Sequence, residues 1–456
     1  MMTFRTIALL CLLLFSSLDA LMVDIAIIGG GPGGLAAALA LERSSPVGTT
    51  IRVFEKDEFE PLGASIGISK SGWKALRDVD PELFATLEPR IRSTGVPVTR
   101  AAIFGFDSTV PAWSRPARAT IRVVNGVFLV LQGLTAVANR LLRRQWNRPA
   151  RIIHQWYDVR MALADAVRER CGVGTVCGGH SLVGLKELKE GGASSGFELT
   201  FEVAASSGSG EPAAAELPGA VKVLEKVRCG AVVACDGVGS SVRRLAGEVF
   251  AGDGRSVWRG VAPEIDLGGT VTFFQGEGDV TDGVRVRALD AATSSGGLAP
   301  AGVAGGAAWL IIAPPATGRS SGSASARLRA TEALEAACNG SSAPPLLVSA
   351  IGGSTRVVEY PFFDRNSGEG AAPYAAATAG LSFLGDAQDP VRPTGKGVAL
   401  AWADAAALGN CCAEAVAAAL TELPPGAAPA PFSAEDLAGV LSAYEARREP
   451  EVRKVA

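Results

Sequence analysis

The sequence predicts an α/β protein built on a parallel sheet, and three stretches predict it. VDIAIIGGGPGGLAAALALERS, residues 23–44, passes from a short apolar run through a glycine turn into an Ala/Leu helix. IRVFEKD, residues 51–57, supplies the next strand. A strand, a helix and a second strand in that order predict parallel pairing. Far downstream, LSFLGD (381–386) reads as another buried strand. It enters a loop dense in Gly and Pro, GDAQDPVRPTGKG (385–397), and an Ala-rich helix follows.

Each element follows from local pattern. Before the first strand, Arg5 precedes an apolar run from Ile7 to Phe15, the layout of a secretory signal or short anchor. The run is too short for a membrane span. Met22 begins MVDIAIIGGG, itself an ordinary cytoplasmic start, so residues 1–21 are expected to be either a signal or anchor-like leader or an extension ahead of the true start. Ile25 to Ile28 are β-branched or small, as a strand buried on both faces requires. GASIGISKSGWKALRDV (63–79) reads as a loop feeding a helix, and DVRMALADAVRERC (158–171) as a helix. FELTFEVA (197–204) and VKVLEKVRCGAVVACDG (221–237) alternate as antiparallel strands around a solvated Ser/Gly/Pro link. VTFFQGEG (271–278) and AAWLIIAPP (307–315) read as strands. The segments AATSSGGLAPAGVAGGAA and ATGRSSGSASA read as long loops, and SAYEARREPEVRKV as a charged terminal helix. The apolar stretch 123–144 leads into Arg140, Arg143, Arg144, Arg148 and Arg151. It suits either a helix over a substrate cavity or a membrane-surface contact.

Composition narrows the function. The chain has 456 residues and a formal net charge of -3, which argues against a nucleic-acid partner. Two histidines, His154 and His180, leave little for metal chemistry or a Ser-His-Asp triad. Eight cysteines show no metal-ligand spacing, and Cys411 and Cys412 are adjacent.

Gly29, Gly31 and Gly34 form a G-x-G-x-x-G between strand and helix. The first permits the turn, the second lets a pyrophosphate approach the backbone, and the third lets the helix pack on the strand. The helix N-terminus then offers free N–H groups. Glu55, at the end of the second strand, stands where an acid accepts hydrogen bonds from an adenosine ribose. An acid there disfavours a 2′-phosphate, so the site suits FAD or NAD. Asp236 and Gly237 stand at the end of another strand, with Ser240 and with Arg243 available for phosphate or for structure. The loop at 385–397 is not a P-loop, because Gly397 follows Lys396 where Ser or Thr is needed.

These motifs occur in the order G-x-G-x-x-G with a distal Glu, R-x-x-L, D-G-x-x-S-x-x-R, and G-D-x-x-x-P-x-x-P-x-x-G-x-G. In that order the chain resembles the class A FAD-dependent monooxygenases, of the para-hydroxybenzoate hydroxylase and ubiquinone-pathway hydroxylase type, over residues 23 to about 450. The resemblance implies a Rossmann-like FAD/NAD(P)-binding domain over 22–456. Substrate-domain segments at about 80–130, 190–225 and 249–360 would be interleaved with it as a β-sheet domain. It implies FAD as cofactor and NAD(P)H and O2 as co-substrates. Asp386 would meet a ribityl hydroxyl and Pro393 would lie beside the flavin ring. Gly395 and Gly397 would bring N–H groups to its pyrimidine edge, Arg160 would meet the pyrophosphate, and Asp236 and Gly237 would contact both FAD and NAD(P)H. Gln388 and Asp389 replace the family's usual Ala-His, and Lys396 replaces a common Gln.

The expected activity is hydroxylation or epoxidation of an aromatic or isoprenoid-like molecule, in a cavity lined by Trp258, Arg259, Phe273 and Phe274. Two alternatives stay open: reduction of a prenyl-type double bond, and a flavin-binding protein without catalysis. No two of the seven tryptophans fall two apart, which removes the W-x-W segment of flavin-dependent halogenases.

Overall fold

The structure is a computed structural model. It describes residues 20–59, 65–105, 152–203, 223–247, 255–262, 283–289, 307–313, 323–338, 345–354, 356–362, 378–390, 396–424 and 427–452. The expected strand 271–278, the apolar stretch 123–144 with its basic cluster, and Phe273 and Phe274 lie outside them.

The first sheet has strand order β6-β2-β1-β9-β8-β7, with β14 paired to β9. Its strands are β1 (Leu21–Ile28), β2 (Ile51–Phe54), β6 (Val176–Cys177), β7 (His180–Glu190), β8 (Ala193–Val203), β9 (Val223–Ala234) and β14 (Leu381–Phe383). β1 is parallel to both β2 and β9, and β14 is parallel to β9. β9 serves two neighbours along one edge. β8 pairs antiparallel with its first half and β14 parallel with its last three residues.

Both faces of its parallel part are buried, which is why Ile25–Ile28 of β1, the end of β9 and β14 carry unbroken apolar runs. Ile25, Ile27, Val53, Ala231 and Val233 join one core cluster. It includes residues of helices α1 (Pro32–Ser44), α2 (Lys70–Val79), α3 (Pro81–Ser93) and α4 (Trp156–Cys171). The long helix α8 (Gly397–Glu422) and the terminal helix α9 (Ala434–Val452) complete that layer. Ala26, Ile28, Val232 and Ala234 join the other cluster, with Phe197 and Phe201 of β8. Phe201 stacks on Phe54 with ring centroids 4.5 Å apart. α1 and α8 approach through small residues: a Cβ on Gly409 would stand 2.9 Å from that of Ala40. α8 is apolar enough by length and composition to cross a membrane, but its Trp402, Ala405, Leu408 and Cys412 sit at 0% exposure inside the core. Here it is a core helix.

The second sheet runs β13-β10-β12-β11-β4-β5-β3. The strands are β3 (Ser65–Gly67), β4 (Val96–Gly105), β5 (Ile152–Gln155), β10 (Arg255–Ala262), β11 (Gly283–Leu289), β12 (Ala307–Ala313) and β13 (Arg356–Phe362). Helices α6 (Ser323–Cys338) and α7 (Pro345–Gly353) lie between β12 and β13 in the chain. Trp309 of β12 is buried, and its indole N–H donates to Ser354 Oγ at 2.7 Å. Arg329 of α6 pairs with Glu359 of β13 at 3.0 Å.

Four expectations change. Residues 190–225 were assigned to the substrate domain, but β8 and the start of β9 belong to the first sheet. A hairpin joined to a core strand stays with that strand, since its own ladder fixes it there. The fold does not wait for Val23: Leu21 pairs with Val227 and Met22 with Arg228, so the leader boundary at 21 lies one residue too late. The expected loop ATGRSSGSASA turns helical at Ser323, where α6 begins. Trp258 and Arg259 were expected to line one cavity. As consecutive residues of β10 they fall on opposite faces of the sheet.

Candidate cofactor site

Parallel neighbours end at the same edge of a sheet, so the loops after β1, β9 and β14 gather at one place. Backbone bonds continue each strand into its loop. Gly29 N–H donates to Phe54 O at 2.8 Å, Cys235 N–H to Ile28 O at 2.7 Å, and Leu384 N–H to Ala234 O at 2.9 Å. The structure thereby brings together Gly29, Gly31, Gly34, Asp236, Gly237 and Asp386.

The glycines are dictated by crowding on one side and openness on the other. Gly29 has φ +108, and a Cβ there would meet Cys235 O at 2.5 Å. A Cβ on Gly34 would stand 2.0 Å from Gly29 O, so helix and turn touch only through glycine. At Gly31 the nearest atom to such a Cβ is in the Trp156 ring, at 3.9 Å. The ground before Gly31 is open. Gly31 is also the N-cap of α1, which has no side-chain cap and no acid in its first turn. Its first N–H groups are left to an anion.

Glu55 is buried beneath this loop. Its Oε2 accepts from Gly30 N–H at 2.7 Å and lies 3.1 Å from Arg160 Nη2. Burial, then neighbouring Asp57, pushes its carboxyl above the usual range, against the pull of Arg160 and the Gly30 N–H. Arg160 itself is 0% exposed. Its Nε donates to Gly30 O at 2.8 Å and its Nη1 to Asp57 Oδ1 at 2.8 Å. Its guanidinium lies 4.0 Å from the Phe59 ring centroid and 4.9 Å from that of Trp156. The resemblance implied a pyrophosphate contact for Arg160. Here Nε and Nη1 are committed to Gly30 O and Asp57 and Nη2 lies in an ion pair with Glu55, but the buried Nη2 makes no hydrogen bond among the described residues.

Asp236 caps the short helix α5 (Ser241–Leu245). Its Oδ2 accepts from Ser241 N–H at 2.6 Å, Ser241 O–H at 3.0 Å and Val242 N–H at 3.1 Å. Its Oδ1 is buried with no hydrogen-bond partner among the described residues. Gly237, at φ +78, has open space where a side chain would be. Arg243 has a structural role: its Nε and Nη2 both donate to Ala387 O, at 3.1 and 2.9 Å, and its guanidinium lies 3.9 Å from the Phe383 ring centroid.

Asp386 lies in the single turn Gly385–Ala387 and is exposed, while Gly385, Ala387, Gln388 and Asp389 around it are buried. Gly397 opens helix α8. Pro393 and Gly395 lie outside the described residues. Sequence reasoning passed over three further residues. Asp158, in the first turn of α4, has a buried Oδ2 without a partner among the described residues. Asp404 of α8 accepts the Gly385 N–H at 2.9 Å through Oδ2, and Arg448 of α9 holds its Oδ1 at 2.6 Å. The YEARREP stretch contained Arg448, but nothing local pointed to Asp404.

These residues fit FAD. The open ground at Gly31, the uncapped start of α1 and the unpartnered Asp236 Oδ1 supply room, donors and an acceptor for a dinucleotide. The exposed Asp386 supplies a further acceptor at the same sheet edge. Among the described residues, no group of three or more His, Cys, Asp or Glu could hold a metal ion.

No family model matches the chain, and no curated protein does. Solved structures do. CtdE in complex with FAD and its substrate 4 superposes with a TM-score of 0.56 at 14% identity, over 95% of this chain and 87% of that one. HpxO of Klebsiella pneumoniae, complexed with FAD and uric acid, gives 0.52 at 17%, over 95% and 86%. A Photorhabdus luminescens protein described as an FAD-containing monooxygenase gives 0.52 at 15%, over 95% and 97%. The fold of this chain is therefore that of FAD-binding monooxygenases, as the resemblance implies.

Proposed function

We propose that the chain is an FAD-dependent monooxygenase that uses NAD(P)H and O2 to hydroxylate or epoxidise an aromatic or isoprenoid-like small molecule. The observation that carries this reading is the convergence of the Gly29–Gly34 turn, Asp236 and Asp386 on one sheet edge, where the first turn of α1 lacks a side-chain cap and Asp236 Oδ1 has no partner among the described residues. Gly31 and the first turn of α1 would hold the pyrophosphate, and Glu55 the adenosine ribose. Asp386 would hold the ribityl chain, and the start of α8 would place its partial positive charge against the flavin ring. FAD, when bound, supplies the electron transfer from NAD(P)H and the reaction with O2. The protein's part is to bind and orient the cofactor, seat the substrate against the ring and keep water out. Residues 1–20 are proposed as a secretory or anchoring leader or an extension ahead of the domain.

The test is direct. The purified protein should be yellow, should release FAD on denaturation and should oxidise NADH or NADPH in a screen of phenols, quinone precursors and carotenoids. Oxygen from 18O2 should enter the product. Colourless protein that cannot be reconstituted with FAD would sink the proposal, and product without 18O would leave a reductase.

A further inference from the structure

The cofactor edge is built in two halves. The glycine turn with the start of α1 forms one, and the turn Gly385–Ala387, which carries Asp386, forms the other. One helix bonds to both. Trp402 of α8 is fully buried, and its indole N–H donates to Pro32 O, in the first turn of α1, at 3.1 Å. Two residues on, Asp404 accepts the Gly385 N–H at 2.9 Å. Residues two apart on a helix point nearly opposite ways, so the two bonds leave α8 on different sides. Ala401 packs against both halves: a Cβ on Gly33 or on Gly385 would stand 3.1 Å from its own.

The turn at 385–387 depends on side chains from outside it. Gly385 has φ +63, and its carbonyl accepts from Gln388 N–H and Asp389 N–H, each at 2.9 Å. Its own N–H goes to Asp404, and at the other end Ala387 O is held by Arg243. Asp404 and Arg243 are both buried, whereas Asp386 between the two anchored ends is exposed. The orientation of Asp386 is therefore set from both ends of its turn by buried charged groups. Asp404 is in turn held from α9, where Arg448 Nε donates to its Oδ1 at 2.6 Å.

We infer that Trp402 and Asp404 are positioning residues: through α8 they fix the spacing between the half of the cradle that takes the adenosine diphosphate end of FAD and the half that takes its flavin end, and Arg448 locks that spacing by docking α9. The inference rests on the FAD reading of the site. A ligand that spans both halves senses their spacing, and a ligand that occupies one half does not. Docking of α9 and occupancy of both halves then strengthen each other by the same factor, because coupling between two binding events is reciprocal.

The test compares FAD with ADP, which reaches only the first half, by calorimetry on the full chain stripped of cofactor. Asp404→Ala with Arg448→Met removes the acceptor of the Gly385 N–H without stranding a charge. It should weaken FAD binding roughly tenfold or more and leave ADP binding unchanged. Asp404→Asn with Arg448→Met keeps an acceptor and should fall between wild type and the alanine pair. Equal weakening of both ligands, or unchanged FAD affinity, overturns the inference. A second measurement needs no variant: amide hydrogen exchange along α9 should slow when the wild-type chain is loaded with FAD, and not when it is loaded with ADP. Equal protection by the two ligands, or none by either, overturns the inference as well. The two readings fail separately. Wild-type protein that takes up ADP but no FAD removes the flavin reading and the inference with it, whereas FAD uptake without a change in α9 exchange removes the inference alone.

Discussion

Arg448 and Asp404 form a buried ion pair, Nη2 to Oδ1 at 2.6 Å, with both side chains at most 5% exposed. The other oxygen of the same carboxylate holds the Gly385 N–H at 2.9 Å. The terminal helix thus reaches the turn that carries Asp386 through one intervening acid. Two further bonds tie that helix to the same strand: Tyr444 O–H donates to Phe383 O at 3.1 Å, and Ser382 O–H to Glu445 Oε1 at 2.8 Å.

Breaking the pair from one side strands a buried charge. Arg448→Met should destabilise the fold by about 3–5 kcal/mol, read by urea unfolding. Adding Asp404→Asn to it should recover part of that loss, because the orphaned carboxylate is gone. A double variant whose loss equals the sum of the two single losses would show that the residues act independently.

Glu55→Ala should weaken FAD binding by about 1.5–3 kcal/mol, the range for a hydrogen bond to a charged group. It should also lower stability, because Arg160 loses a carboxylate while remaining buried. Glu55→Gln keeps the acceptor for Gly30 N–H and should lose less of both. Fluorescence titration and thermal melts measure the two effects; an unchanged FAD dissociation constant in Glu55→Ala would remove the ribose role.

Asp386 should rank wild type, then Asn, then Ala in FAD affinity. Asp386 itself is exposed while its neighbours in the turn stay buried. The ranking rests on its place at the sheet edge. Equal dissociation constants across the three proteins would show that this acid does not touch the cofactor.

His154 is 1% exposed, and neither ring nitrogen has a hydrogen-bond partner among the described residues. Burial pulls its pKa from 6.5 down to about 4. Between those values the unfolded chain binds the extra proton, so stability should fall as pH drops below 6.5 and level off below 4. The loss amounts to roughly 3 kcal/mol. His154→Gln should lose less stability than wild type between pH 7 and pH 4. Parallel stability curves for the two proteins would contradict this.

A chain beginning at Met22 should bind FAD like the full chain, since among the described strand residues it forfeits only the Leu21–Val227 position at the strand's end. A chain beginning at Ile25 loses Val23 from the core as well and should retain little flavin. Flavin content per purified chain measures both. If the Met22 chain is empty, residues 1–21 belong to the domain.

Much of the cofactor edge was legible locally. Gly29, Gly31 and Gly34 announce a turn that tolerates no Cβ, and Glu55 stands one strand away at a distance that β-α-β geometry sets. The second sheet was less legible. β11 and β13 are short strands whose partners lie across long connections, so their order appears only when the strands are set in register. The hairpin strand β8 was recognised as a strand but assigned to the wrong sheet, because strand pattern says which face is buried and not which ladder is joined.

By itself the sequence determined the alternation of strands and helices, the glycine turn, and the strand-end acids Glu55, Asp236 and Asp386. Those follow from steric rules and periodicities that act over a few residues. Only the tertiary structure decided how the buried charges are satisfied. Arg160 goes to Glu55 and Asp57, Arg243 to the Ala387 carbonyl, and Asp404 to Arg448 and the Gly385 N–H. A charge taken out of water must find its counterpart wherever the chain brings one within about 3 Å, and that proximity belongs to the packing of segments tens to hundreds of residues apart.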